Sequence, residues 1–327
     1  MPTVLITGTA GFIGMHTSIR FLREGWDVVG LDNLNDYYSV ALKRDRLKEI
    51  TNEAEKRTRS FEMFEADLNS AIWERLESYD FEAVIHLAAQ AGVRYSLENP
   101  RAYLDSNILG FQSVLDFTES QSIHRFVYAS SSSVYGKSSK QPFSESQACN
   151  NPESYYAATK KANEMMAHSY YQTKQVSSIG LRFFTVYGPW GRPDMAPYLF
   201  ANAAFRGEGI RVYNHGNQKR DFTYIDDIVE GIFLSVKEFN TVKGAEVFNI
   251  GYGSPTGLMD FISEIESATG KELKKTYIEA QLGDVEVTYA NTRKLKSTFG
   301  YSPKIGLTEG VLKFIEWFQS YHENTDS

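Results

Sequence analysis

The feature that most constrains this chain is the run TGTAGFIG at Thr7–Gly14, with glycines at positions 8, 11 and 14. It follows a short apolar run, Val4–Thr7, and opens a helical pattern, Phe12–Glu24. Glycine lets the chain turn sharply between strand and helix and lets another group approach the backbone. The N–H groups at the start of the helix then face that group and favour an anion such as a pyrophosphate. Further apolar, β-branched runs predict strands at Asp27–Leu31, Phe61–Glu65, Ala83–Leu87, Arg125–Ser130 and Ser178–Arg182. Helical patterns lie between them at Leu42–Glu55, Arg101–Ser120 and Ser154–Gln172. Strict alternation means parallel strands joined by right-handed crossovers, so the expectation is an α/β doubly wound parallel sheet of the Rossmann type.

After residue 182 the pattern changes. Tyr187–Tyr198 is rich in Gly, Pro and aromatic residues and predicts an irregular loop. A helix near Leu199–Phe205, a strand near Ile210–Tyr213, a helix over Asp226–Lys237 and a final amphipathic helix, Leu307–Tyr321, follow. The expected division is a dinucleotide-binding domain over 1–182, rejoined by the chain around 225–250, and a smaller C-terminal α/β substrate domain over 183–327. The net charge of −7 gives no reason to expect a nucleic-acid or anionic-membrane partner. No apolar stretch reaches the roughly 20 residues that span a bilayer, and the first residues lack a leader pattern, so the expected compartment is the cytoplasm. The single cysteine, Cys149, and six scattered histidines predict neither a disulfide framework nor a metal site.

Three features give the glycine turn its meaning. It sits at the first strand-to-helix crossing, where a doubly wound sheet binds a dinucleotide. Asp32 ends the next strand 18 residues after Gly14, where a carboxylate accepts hydrogen bonds from ribose hydroxyls and repels a 2′-phosphate. With Asn33 rather than an arginine beside it, NAD is favoured over NADP. Asp67, with Leu68, ends the third strand, within reach of an adenine amino group. The glycine spacing, His86–Ala89 (HLAA) and Asn107 together resemble the extended short-chain dehydrogenase/reductase family over essentially the whole chain. The resemblance implies that Gly8, Gly11, Phe12, Ile13, Gly14, Asp32, Asn33, Asp67, Leu68 and Leu87, Ala88 and Ala89 hold NAD. His86 itself is expected to be a packed strand residue.

Tyr156 and Lys160 lie four apart in a helical pattern, so they share a face. A nearby ammonium, joined by a cationic nicotinamide, is expected to pull the tyrosine hydroxyl below its ordinary pKa. Tyr-x-x-x-Lys is common by chance, but behind a dinucleotide turn it resembles the family's catalytic pair, which also contacts the cofactor. Tyr155 is expected to face away and pack. The run Ser130–Ser133 follows a predicted strand, at the carboxyl edge where such sheets bind ligands. The resemblance makes Ser131 the residue that shares a proton with the substrate hydroxyl. Related 4,6-dehydratases carry Asp-Glu at the next two positions and decarboxylating enzymes a Glu at the second. Here both are serine, Ser132 and Ser133, so chemistry should stop at oxidation and re-reduction of C4 of a sugar.

The segments Asp32–Tyr38, Ala91–Ser96, Arg182–Ala196 and Arg220–Asp227 are similar to those of UDP-glucuronate 4-epimerases. That similarity implies a UDP-sugar substrate, an NAD-dependent isomerase, and a homodimer through the helices near 101–120 and 154–172. It suggests that Ser132, Ser133 and Thr185 clasp the C6 carboxylate. Arg220, Arg192 and Arg94 are candidates for the diphosphate, and Asp284 for the uridine ribose. Gln281–Leu282 stand where hexose epimerases often carry an arginine. The rival readings are a UDP-glucose/UDP-galactose 4-epimerase and, from another class, a non-catalytic NAD- or RNA-binding member.

Overall fold

The computed structural model describes residues 1–137, 140–280 and 285–325. Seven parallel strands form the main sheet in the order β11-β6-β5-β4-β1-β2-β3. These are β1 (Thr3–Thr7), β2 (Asp27–Asp32), β3 (Phe61–Glu65), β4 (Phe81–His86), β5 (Phe126–Ser131), β6 (Ser178–Phe183) and β11 (Ala245–Ile250). The shorter strands β7 (Thr185–Tyr187), β8 (Gly209–Tyr213), β9 (Lys219–Arg220), β10 (Phe222–Tyr224), β12 (Thr256–Gly257), β13 (Lys274–Ile278) and β14 (Val287–Thr288) pair outside it.

Period-two alternation explains why the sheet is covered on both faces. Val4, Ile6, Val28, Ala83, Ile85 and Val127 belong to one apolar cluster, while Leu5, Val29, Leu31, Val84, Phe126 and Tyr128 belong to the other. The first cluster takes in α1 (Phe12–Arg23), α2 (Val40–Arg57) and, later in the chain, α9 (Ile225–Lys237). The second takes in α3 (Ile72–Leu76), α6 (Gly110–Ser120) and α7 (Tyr155–Lys174). Short helices α4 (Tyr95–Glu98) and α5 (Pro100–Tyr103) precede α6, and α8 (Ala196–Arg206), α10 (Leu258–Thr269), α11 (Arg293–Phe299) and α12 (Leu307–Thr325) build the C-terminal part. No described helix is long and apolar enough to cross a membrane.

From β1 the chain winds outward through β2 and β3, then returns to β4 on the other side of β1 and winds the opposite way. The reversal opens a crevice at the strands' carboxyl ends, between β1 and β4. Two local expectations change. The helix expected over Arg101–Ser120 breaks into α5, a π-helical turn at Leu104–Leu109, and α6. The loop expected over Tyr187–Tyr198 is shortened from both ends, because Tyr187 closes β7 and α8 begins at Ala196 with Pro197 in its first turn.

Candidate active site

The glycine turn is forced by crowding. Gly8 has φ +73°, and a Cβ there would lie 2.6 Å from the Ala88 amide nitrogen. At Gly14 it would lie 2.0 Å from the Gly8 carbonyl oxygen. The backbone of β4's exit therefore packs directly on the turn, with Leu87 N–H donating to Thr7 O at 3.1 Å. Gly11 precedes α1 without a side-chain cap, and no acidic residue stands in the helix's first turn. That leaves the positive end of the helix facing the crevice.

At the end of β2, Asp32 accepts from Ala10 N–H at 3.1 Å and Leu34 N–H at 2.9 Å. Burial pushes its pKa up, against those two bonds and the charges of Lys43 and Arg46. Asn33 donates to Asp67 at 2.9 Å, joining the ends of β2 and β3. His86 is indeed a packed strand residue: its Nδ1 meets Thr7 Oγ1 at 2.8 Å, and burial holds its pKa down to about 3, so the ring is neutral.

Asn107 uses the π-helical turn to join the β4 exit to α7. Its side chain accepts from Gln90 N–H at 2.8 Å and donates to Gln90 O and Thr159 Oγ1, both at 3.0 Å. Its own carbonyl accepts from Asn163 Nδ2 at 2.6 Å.

Ser154 caps α7 by accepting from Ala157 N–H at 3.1 Å, which fixes the helix start just before Tyr156. Lys160, buried one turn later, donates from Nζ to Ala129 O at 2.9 Å, and burial lowers its pKa to about 8. For Tyr156 the balance among the chain's own groups is set by burial. Burial pushes its hydroxyl above the ordinary value, and the groups pulling it back are Ser131, through a hydrogen bond, and the charge of Arg192. Within the chain alone the cost of burying a phenolate outweighs the nearby donors, and the Lys160 ammonium is directed to a carbonyl. Tyr155 is 40% exposed rather than packed.

Beneath this end lies a buried polar network absent from the sequence expectations. Arg182 forms a two-pronged ion pair with Glu164 at 2.7 and 2.8 Å, and Ser130 Oγ donates to the same carboxylate at 2.7 Å. Burial alone would raise Glu164, but Arg182 and Ser130 hold it below the usual carboxylate range. Arg182 also donates to Tyr135 OH at 2.8 Å, and Tyr135 donates to Asn249 Oδ1 at 2.6 Å. β5, β6, β11 and α7 are thereby tied together under the serine run. The signal was an arginine inside the apolar run SIGLRFF, since a buried guanidinium demands a carboxylate.

Every expected site residue within the described part lines one cleft of about 940 Å³. Its members include the glycine turn, Asp32, Asn33, Asp67, Leu68, Leu87–Ala89, Ser131–Ser133, Tyr156, Lys160, Thr185, Arg94, Arg192 and Arg220. Asp284, with Gln281 and Leu282, lies outside the described residues. Arg211, Tyr213 and Gln218, not singled out from sequence, also line the cleft. They come from β8 and the segment before β9, where exposed polar residues carry no signal until the fold turns them inward.

Ser133 gives both its N–H, at 3.2 Å, and its hydroxyl, at 2.8 Å, to Ser131 Oγ. Arg192 pairs with Asp194 at 3.0 and 2.6 Å, and its charge acts on Tyr156 and Tyr103. The Arg94 guanidinium lies 4.7 Å from the Tyr213 ring centroid. Arg220 donates to the carbonyls of Lys219 and Glu286 at 2.9 and 3.1 Å. Among the described residues no cluster of three His, Cys, Asp or Glu side chains could hold a metal.

The sequence profile of the NAD dependent epimerase/dehydratase family matches residues 4–251. Protein CapI of Staphylococcus aureus is 46% identical, over 98% of this chain and 99% of its own. UDP-glucuronate 4-epimerase 2 of Arabidopsis thaliana is 44% identical, over 98% of this chain and 76% of its own. Among solved structures, UDP-glucuronic acid 4-epimerase from Bacillus cereus, in complex with UDP-glucuronic acid and NAD, superposes with a TM-score of 0.89. It is 31% identical, over 98% of this chain and 99% of that one.

Proposed function

This chain belongs to the NAD dependent epimerase/dehydratase family, and on that premise we propose that it converts UDP-glucuronate to UDP-galacturonate by inverting C4. The carrying observation is that Ser131, Tyr156 and Lys160 share one cleft with the glycine turn, while the next two positions offer hydroxyls, Ser132 and Ser133. A 5,6-elimination after C4 oxidation would need an added acid and base there, which serine hydroxyls do not supply.

NAD fits the residues present. The glycine cradle would be filled by any Cβ, and the uncapped start of α1 suits a pyrophosphate. On this reading Gly8, Gly11, Phe12, Ile13 and Gly14 hold the pyrophosphate, Asp32 and Asn33 the adenosine ribose, and Asp67 and Leu68 the adenine. Leu87–Ala89, Tyr156 and Lys160 then face the nicotinamide. Bound there, NAD supplies the oxidising and then the reducing equivalent at C4 and is regenerated in each cycle.

Tyr156 takes the proton of the C4 hydroxyl and returns it after the sugar has turned over about its bond to the diphosphate. Ser131 orients the C4 oxygen beside Tyr156. Lys160, anchored on the Ala129 carbonyl, favours the phenolate by its charge. The 4-keto sugar is a β-keto acid and loses carbon dioxide when the bond to its carboxylate stands perpendicular to the carbonyl plane. Hydroxyl donors holding the carboxylate in another orientation suppress that loss. We assign this to Ser132 and Thr185, because the Ser133 donors are directed to Ser131.

Arg220 and Arg94 suit the diphosphate. Arg192, which the loop after β7 carries into the same cleft, is a further candidate for the UDP moiety. Residues 1–182, with α9 and β11 of the segment that returns around 225–250, serve as the cofactor half, and the remainder of 183–327 as the nucleotide-sugar half. The protein works in the cytoplasm as a homodimer and, with a net charge of −7, without nucleic acid.

The test is NMR of the purified protein incubated with UDP-glucuronate and no added cofactor. Accumulating UDP-galacturonate is the expected outcome. UDP-xylose or a 4-keto pentose would replace the reading with a decarboxylase, and turnover of UDP-glucose alone with a hexose epimerase.

A further inference from the structure

We propose that Ser133 is a positioning residue which leaves Ser131, beside Tyr156 in the cleft, with only a hydrogen to donate. A serine hydroxyl has one hydrogen and two lone-pair positions. Ser131 Oγ accepts from Ser133 N–H at 3.2 Å and from the Ser133 hydroxyl at 2.8 Å. With both acceptor positions engaged, only its hydrogen is left for Tyr156. A phenolate oxygen, which can only accept, satisfies that hydrogen without reorientation. A neutral phenol competes less well, because its own hydrogen then finds no acceptor on Ser131. The hydroxyl pair therefore favours the proton-accepting form of the tyrosine before any sugar arrives.

The local fold makes this arrangement. Ser131 ends β5 in extended geometry and caps a 3₁₀ turn, Ser132–Tyr135, which curls residue 133 back over its own cap. Any residue at 133 would offer the N–H, but only a hydroxyl adds the second bond. The other groups around Tyr156 do not supply a fixed donor direction. Arg192 acts by charge from the loop after β7, the Tyr103 ring of α5 lies 6.1 Å away, Lys160 of the same helix is turned to Ala129, and His86 of β4 is neutral. Burial works against ionisation, so a loss of donor strength at Ser131 is not masked.

The inference rests on Tyr156 being the proton acceptor, and its test keeps the two apart by using no sugar. In the NAD-loaded protein, tyrosinate absorbance is titrated against pH, with Tyr156→Phe as the blank. Ser133→Ala should raise the Tyr156 midpoint by about one pH unit, part of the worth of a hydrogen bond to a charged group. The acid limb of the kcat profile should move up with it, since activity then needs a higher pH to ionise the tyrosine. Ser133→Thr should restore the midpoint, and Ser132→Ala should leave it unmoved. If Ser133→Ala loses its fold, Ser133→Thr against Ser133→Val gives the same comparison in side chains of one shape. An unmoved midpoint, with a raised KM for UDP-glucuronate or more decarboxylated product, would overturn the proposal and return Ser133 to the carboxylate. If Tyr156→Phe removes no titrating absorbance, the assignment of Tyr156 fails and carries the proposal with it.

Discussion

At the scale of single residues, the cleft separates groups that move protons from groups that hold the sugar still. Thr185 belongs to the second kind as proposed: it lines the cleft, and its N–H is committed to Asp221 O at 3.1 Å. Valine matches threonine in shape and lacks only the hydroxyl, so Thr185→Val should preserve the fold and weaken the carboxylate's hold. Loss of about 1.4 kcal/mol, a modest hydrogen bond to a charged group, corresponds to about a tenfold larger share of UDP-4-keto-pentose among the products. The product ratio by NMR checks this, and a ratio equal to that of the parent enzyme would remove Thr185 from the clasp. The glycine turn and the Tyr156/Lys160 pair were legible in sequence because each is local: their meaning depends on spacings of three or four residues. Ser133's commitment to Ser131 and the Glu164–Arg182 pair were not, since hydroxyl direction and contacts between helix and strand exist only after folding.

At the scale of elements, α2 does more than cover the sheet. Arg46 is fully buried and donates to Ala10 O in the glycine turn, at 3.0 Å, and to Tyr38 OH, at 2.7 Å. It also donates to Trp190 O and Gly191 O, at 2.7 and 3.2 Å, in the loop that carries Arg192. One guanidinium thus ties the proposed cofactor cradle to the sugar side. Lysine keeps the charge but cannot span these carbonyls with a planar fork. Arg46→Lys should weaken NAD retention by about tenfold, the equivalent of one buried hydrogen bond. The fraction of purified protein carrying NAD reads this directly, and full occupancy in the variant would refute the tie.

The same helix meets α1 through Glu53, which accepts from Arg23 and Arg57, each at 2.8 Å, and is held down to about 2 by those arginines. A depressed carboxyl stabilises the fold above its unfolded pKa, and that contribution is lost as pH falls toward 2. Since both arginines are about half exposed, the contribution is small, about 1 kcal/mol. Glu53→Gln should therefore melt earlier than the parent at pH 7, with the gap closing as pH drops from 4.5 toward 2. A gap constant across that range would mean packing rather than charge. Periodicity revealed α1, α2 and α7 but not the break in the helix expected over 101–120, because the π-helical turn depends on Asn107's partners in other elements.

At the scale of the whole molecule, the sheet order follows from the two-way winding, but the sequence does not reveal which edge the strand at 245–250 will join. It pairs with β6, where Asn249 meets the network under the active site. The outer surface of α7 carries a stripe of small and large apolar residues. Tyr155, Ala158, Ala162 and Met165 recur at intervals of three and four, so they share a face of the helix. Tyr155 is 40% and Met165 65% exposed, and Leu109, just before α6, is 46% exposed. Small residues between larger apolar ones let a second helix approach closely, and a symmetric partner can bring the same stripe. The proposed homodimer through α6 and α7 would cover all three large side chains. Leu109→Glu with Met165→Glu places a carboxylate opposite its own copy across such an axis and should yield a monomer in sedimentation velocity. Because the residues proposed to hold NAD all line one cleft of this chain, that monomer should still carry NAD. A parent protein that sediments as a single 327-residue chain, or a double variant that stays paired, would place the contact elsewhere.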